Sequence, residues 1–195
     1  IEENSLKFLL AAYVKSENNW QIGTTFKEAF NFWGWKHDDF QPIENFLTVQ
    51  GYIKRHGSGG IEASFNMTPE AVRDIERRLL EGSLPAKLTV TDDENPDENH
   101  VVDYQEKVKV RQRQRGEFVG RLYEKSGGDP FHFIPVQAIA KELNLTEAEA
   151  MGIVDFLEGQ YWLEQKTCGG WNGSVQLTEW AMREIQSQLL AAEKS

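Results

Sequence analysis

Displacing the chain against itself by 110 positions brings residues 6–80 onto 116–190 without a gap, and seventeen of the 75 aligned positions are then identical. The pairs include Phe8/Phe118, Tyr13/Tyr123, Phe46/Phe156, Leu47/Leu157, Gly60/Gly170, Ser64/Ser174, Thr68/Thr178, Ile75/Ile185 and Leu79/Leu189. A period this long predicts two copies of one small domain, not a solenoid of short repeats. The expected boundaries are 1–81 for the first copy, 82–115 for a linker and 116–195 for the second copy. The duplication also supplies an internal control. A position that is apolar in one copy and charged in the other is expected to face water in both.

Each copy is small but long enough for a modest core, and eleven Phe, six Trp and five Tyr supply large buried area per residue. The lone cysteine, Cys168, excludes an intramolecular disulfide framework and a cysteine metal cluster. No apolar stretch approaches the length of a membrane span and no leader pattern opens the chain, so the cytoplasm is the expected location.

The second copy is the easier to read. Phe118, Val119 and Leu122 make a helical stripe that Asp129-Pro130 breaks. Residues 131–134 form a short extended run, and Pro135 suits the first position of a second helix with Val136, Ile139 and Leu143 on one face. Asn144-Leu145 makes a turn. Thr146 and Glu149 have the spacing of a capping box for a third helix that buries Ile153, Val154, Phe156 and Leu157. A strand from Tyr161, a glycine tip at 168–170 and a return strand over 174–177 make a hairpin. Thr178 caps a last helix. In the first copy Thr25 and Glu28 have the same box spacing, and Thr68-Pro69 opens the last helix. Pro42 requires the third helix to start near Gln41 and to be shorter than its counterpart. In the linker, Gly82, Pro85, Pro96 and the acidic run at 92–98 predict a flexible, solvated loop over 82–100. The basic run that follows is expected to extend the first helix of the second copy backward.

This order of helix, short strand, helix, turn, helix, hairpin and helix resembles the winged helix-turn-helix family. The helix-turn-helix is Val136 to Gln160 and the wing is Tyr161 to Leu177, with Phe156-Leu157-Glu158-Gly159-Gln160, the Gly-Gly tip and Val175-Gln176-Leu177-Thr178 carrying the likeness. The resemblance implies a mainly α, α+β fold of two tandem winged-helix domains. It also implies nucleic-acid binding, by analogy of fold alone.

Local charge weighs against that implication. In a DNA-binding winged helix the third helix enters the major groove, and Lys and Arg on it meet phosphates and bases. Residues 146–160 hold Glu147, Glu149, Asp155 and Glu158 and neither Lys nor Arg; residues 37–50 hold Asp38, Asp39 and Glu44 and again no cation. The first copy carries 9 basic and 12 acidic side chains and the second 6 and 12, within a net charge of −10. Cations gather elsewhere: Lys54, Arg55 and His56 on the first wing, and Lys107, Lys109, Arg111, Arg113 and Arg115 in the linker. Duplex DNA, if bound, is expected to meet those residues. The bland reading of the linker run is a wetted face that offsets the acidic stretch before it.

The balance favours a protein–protein assembly or adaptor role, the pattern of acidic tandem winged-helix proteins that act as structural adaptors. Phe32 aligns with Glu142 and Trp180 with Glu70, so both aromatics are expected at a surface that meets the other copy, a second chain or another protein. Trp171, aligned with Ile61 beside the wing tip, is a candidate either for that surface or for the core, whereas Trp33 and Trp35 align with leucines and are expected in the core. No phosphate-binding glycine loop, nucleophile elbow or paired-histidine zinc helix is present, so neither catalysis nor a cofactor is expected.

Overall fold

The computed structural model of the protein describes residues 2–16, 23–36, 40–91, 99–166 and 170–192. Two compact units divide the chain, residues 1–111 and 112–195. The class is α+β, with small antiparallel sheets set among helices.

The first unit runs α1 (Glu2–Lys15), β1 (Thr24–Thr25), α2 (Phe26–Phe32), α3 (Phe40–Val49), β2 (Ile53–His56), β3 (Ser64–Met67), α4 (Pro69–Leu80), β4 (Lys87–Thr91) and β5 (Asn99–Asp103). Helix α5 (Tyr104–Ser126) begins in this unit and continues into the second. The second unit adds β6 (Ile134–Pro135), α6 (Val136–Glu142), α7 (Glu147–Gly159), β7 (Leu163–Gln165), β8 (Ser174–Leu177) and α8 (Glu179–Ala192). Its sheet has the order β6-β8-β7, matching β1-β3-β2 in the first. A shift of 110 carries β1 onto β6, α2 onto α6 and β3 onto β8, residue for residue.

The sequence punctuates these elements as its caps predict. Thr25 and Glu28 close one capping box and Thr146 and Glu149 another. In the second, the Thr146 backbone N–H and then its hydroxyl hold the Glu149 carboxyl below its ordinary range. Gly34 (φ 64) and Asn144 (φ 52) make the same left-handed turn before the third helix, which only Gly, Asn or Asp adopts readily. Pro42 lies in the first turn of α3, where its missing N–H is harmless, and α3 has 10 residues against 13 for α7. Pro135 differs by one place from expectation: it is the N-cap of α6 and pairs in β6.

The cores are built from different side chains. In the first, Phe8, Phe26, Phe30 and Phe65 are at most 1% exposed and pack with ring centroids 4.6 to 5.7 Å apart. In the second, Phe118 keeps the place of Phe8, while Val136, Ala140 and Val175 replace the other rings. Trp33 and Trp35 are half-buried at the edge of the phenylalanine cluster, and the Trp33 indole N–H donates to the Lys7 carbonyl at 2.8 Å.

The expected linker is the main difference. Residues 87–91 and 99–103 are strands, not loop, and pair from Lys87↔Asp103 to Thr91↔Asn99. Leu88 alternates inward with β-branched neighbours, a strand signal masked by the Gly, Pro and acidic residues on either side. The acidic run at 92–98 lies outside the described residues. The basic run is helical, as expected, from Tyr104 onward, and Asp103 caps it by accepting from the Gln105 and Glu106 N–H groups. Leu84, Leu88, Tyr104 and Val108 are buried in the first unit. The unit therefore extends to residue 111 and not to 81. Among the described residues no helix is long and apolar enough to cross a membrane.

Candidate functional site

Three surfaces were singled out by the sequence, and the structure treats their side chains very differently. The first is the outer face of each third helix. On α3 the exposed residues are Gln41, Pro42, Asn45, Thr48 and Val49, all uncharged. Glu44, expected to add negative charge there, instead turns inward and is 6% exposed, ion-paired with Arg55 of β2. Asp38 and Asp39 lie outside the described residues. On α7, Glu147 and Glu158 are exposed and Asp155 is half-buried, so this face does carry carboxylates. Burial, and then the negative charge of Glu158, push the Asp155 carboxyl up to about 6. A carboxyl raised in the folded state favours folding fully below its ordinary range, and that contribution is lost as pH rises through 6. Asp155→Asn is therefore expected to raise the Tm at pH 7.5, with a smaller gain at pH 5.5. Equal gains at both pH values in a thermal melt would contradict this placement.

The second surface is the cationic set. Lys54 and His56 are exposed on β2. Arg55 between them is held by Glu44. Along α5, Lys109 pairs with Glu106 at 2.6 Å, and Arg113 approaches Glu117 at 3.9 Å. Lys107 stands over the Tyr104 ring at 5.2 Å and Arg111 over Tyr13 at 4.9 Å. The Arg115 guanidinium stacks on Phe156 at 3.6 Å. Every member of the basic run thus has an acidic or aromatic neighbour within its own unit.

The third surface is aromatic. Phe32 is half-buried, packs edge-on against Trp33 at 5.0 Å, and lines a cleft of about 300 Å³ with Lys15, Glu28, Thr89 and Val90. Trp171 is half-buried beside the hairpin tip, whose residues 167–169, Cys168 included, lie outside the described residues. Trp180 is the most open of the three at 53% exposed. Its ring meets Trp162 edge-on at 5.2 Å, and Tyr161 beside Trp162 is 78% exposed. Thr178 ties these residues together. Its N–H donates to the Trp162 carbonyl at 3.0 Å, and its hydroxyl donates to the Tyr161 carbonyl at 2.8 Å while accepting from the Ala181 N–H at 3.1 Å.

Tyr161 and Trp162 were not among the expected surface residues, although the alignment carries the signal. Tyr161 (φ 61) occupies a left-handed position that belongs to Gly51 (φ 70) in the first unit. A tyrosine there costs about 1–2 kcal/mol of backbone strain. At the equivalent place the first unit has a polar network instead. The Tyr52 hydroxyl lies 3.4 Å from Asp74, which is also bound by Arg77 and Arg78. Burial works to raise the Asp74 carboxyl, but the two guanidinium groups outweigh it and hold the group below its ordinary range.

No protein-family model matches this chain, and no curated protein and no solved structure matches it, so the side chains of these surfaces carry the functional reading by themselves.

Proposed function

We propose that the protein is a non-catalytic, cytoplasmic adaptor of two winged-helix units that docks a partner protein through the surface around Trp180. The observation that carries this reading is the open aromatic group of Tyr161, Trp162 and Trp180 on α+β units whose third helices contain neither Lys nor Arg. Exposed tryptophan and tyrosine held on a rigid frame are the residues that dominate protein interfaces. Approach of a polyanion to α7 would set phosphates against Glu147 and Glu158. Phe32 and Trp171 are subsidiary candidates.

The test is to place a photo-crosslinking amino acid at position 180 in the producing cell, identify the adduct, and measure binding of the purified partner. A protein adduct whose affinity falls about 30-fold or more on Trp180→Asp, the loss of an interface anchor, supports the reading. Adducts confined to nucleic acid, or an affinity unchanged by Trp180→Asp, overturn it.

The alternative, a DNA-binding regulator, draws on the exposed Lys54 and His56 of β2. It predicts that Lys54→Glu abolishes duplex binding and that affinity falls steeply with salt. Arg55 is a poor choice for that test, because its loss strands Glu44.

A further inference from the structure

The two units differ at the aromatic surface in rings and in charge. The second gains rings where Gly51 becomes Tyr161 and Glu70 becomes Trp180, and enlarges one where Tyr52 becomes Trp162. It loses cations, since Arg77 becomes Ser187, Arg78 becomes Gln188 and Lys54 becomes Glu164, and gains one, Lys166 in place of His56, which stands over the Phe133 ring at 5.6 Å. Glu158 gains a carboxylate where the first unit has Thr48.

The carboxylates lie on both faces of the hairpin, because Glu164 and Gln165, the side chain that holds Glu158, are consecutive on β7. The Tyr161 N–H donates to the Glu158 carbonyl at 2.9 Å, which seats the ring directly after the end of α7. Glu158 is fixed by the Gln165 side chain at 2.7 Å, and Glu164 by Gln176 at 2.9 Å. Glu179 precedes Trp180 at the start of α8, and the neighbouring cation, Arg183, pairs with it at 3.2 Å. The rings are thus bordered by oriented carboxylates, in a half of the sequence (116–195) that carries 6 basic and 12 acidic side chains.

From this juxtaposition of exposed rings and fixed carboxylates we infer that the surface takes a basic segment of its partner, with one lysine or arginine laid against Trp180 and met by Glu164 and another laid against Tyr161 and met by Glu158. The inference rests on the adaptor reading and adds the chemistry of the partner. A cation gains from the ring face and the carboxylate at once. A purely apolar segment would strip water from the carboxylates without compensation, and an acidic one would be repelled. The strained Tyr161 fits the same account: glycine relieves the backbone but removes a ring, so the strain is retained where the ring is used.

The test uses the full chain with assigned tryptophan indole N–H resonances and three short Gly/Ser peptides, carrying spaced arginines, glutamines or leucines, at ~150 mM salt. The arginine peptide is expected to shift the Trp162 and Trp180 resonances, and the glutamine peptide to leave them in place. Trp180→Ala, which changes no charge, is expected to weaken arginine-peptide binding about tenfold or more. Tyr161→Gly is expected to weaken it as well while raising the Tm by about 3 °C. Arginine-peptide binding unaffected by Trp180→Ala would reduce the attraction to bulk negative charge and overturn the inference. If the leucine peptide shifts these resonances and the arginine peptide does not, the docking surface stands and its basic partner falls. If none of the three does, both fall.

Discussion

Replacing Leu79 by alanine is expected to lower the unfolding free energy of the first unit by about 3 kcal/mol, whereas the same change at the aligned Leu189 lowers that of the second by only about 0.5 kcal/mol. The two leucines align at the 110-residue shift but differ in burial, Leu79 at 0% and Leu189 at 50% exposed. The difference comes from what each last helix meets. Helix α4 packs along α1, with the Tyr13 hydroxyl donating to the buried Glu76 at 3.0 Å. The end of α4 is also engaged by the following segment, since the Leu84 N–H donates to the Arg78 carbonyl at 3.3 Å and the Gln105 side chain to the Leu80 carbonyl at 3.2 Å. In α8 the place of Glu76 is taken by the exposed Gln186, and Leu190 is 56% exposed beside Leu189. Urea unfolding of the two single variants separates the cases. Equal losses would mean that the two leucines sit in equivalent surroundings, contrary to the structure.

The second large effect concerns a charge. Arg55→Gln is expected to destabilise the first unit by about 2 kcal/mol, because it leaves the Glu44 carboxylate buried without its guanidinium. The side chains are 29% and 8% exposed, so water replaces the lost partner poorly. The second unit shows the alternative solution: Val154 stands at the place of Glu44 and Gln165 at that of Arg55. Installing both residues, Glu44→Val with Arg55→Gln, is expected to return stability to within about 1 kcal/mol of the parent, since a buried ion pair and an apolar replacement are often equivalent. Chemical denaturation of the single and double variants reads the coupling directly. A double variant no better than Arg55→Gln alone would show that the pair does not govern this site.

Element order and caps were legible because their signals are local. Thr25/Glu28, Thr146/Glu149, Thr68-Pro69 and the glycine or asparagine turns fix helix ends through neighbours a few residues away. The β4–β5 hairpin was not legible, because two five-residue strands sit between Gly82, Pro85 and an acidic run that read as loop. Of the site residues, Trp180 was marked by its alignment with Glu70. Tyr161 was missed because its significance is a backbone angle, visible only when its φ is set beside that of Gly51. Charge counts along the sequence could not show where each charge is spent. Arg55 and Arg115 read as available cations, yet the fold gives one to Glu44 and the other to the face of Phe156.

The most direct test of the account is equilibrium binding of the full chain to mixed-sequence duplex DNA at ~150 mM salt, with a parallel series at lower salt. The account predicts no saturable binding at the higher salt, and only weak association at low salt. Saturable binding at ~150 mM that disappears in Lys54→Glu would contradict it and make the protein a DNA-binding regulator.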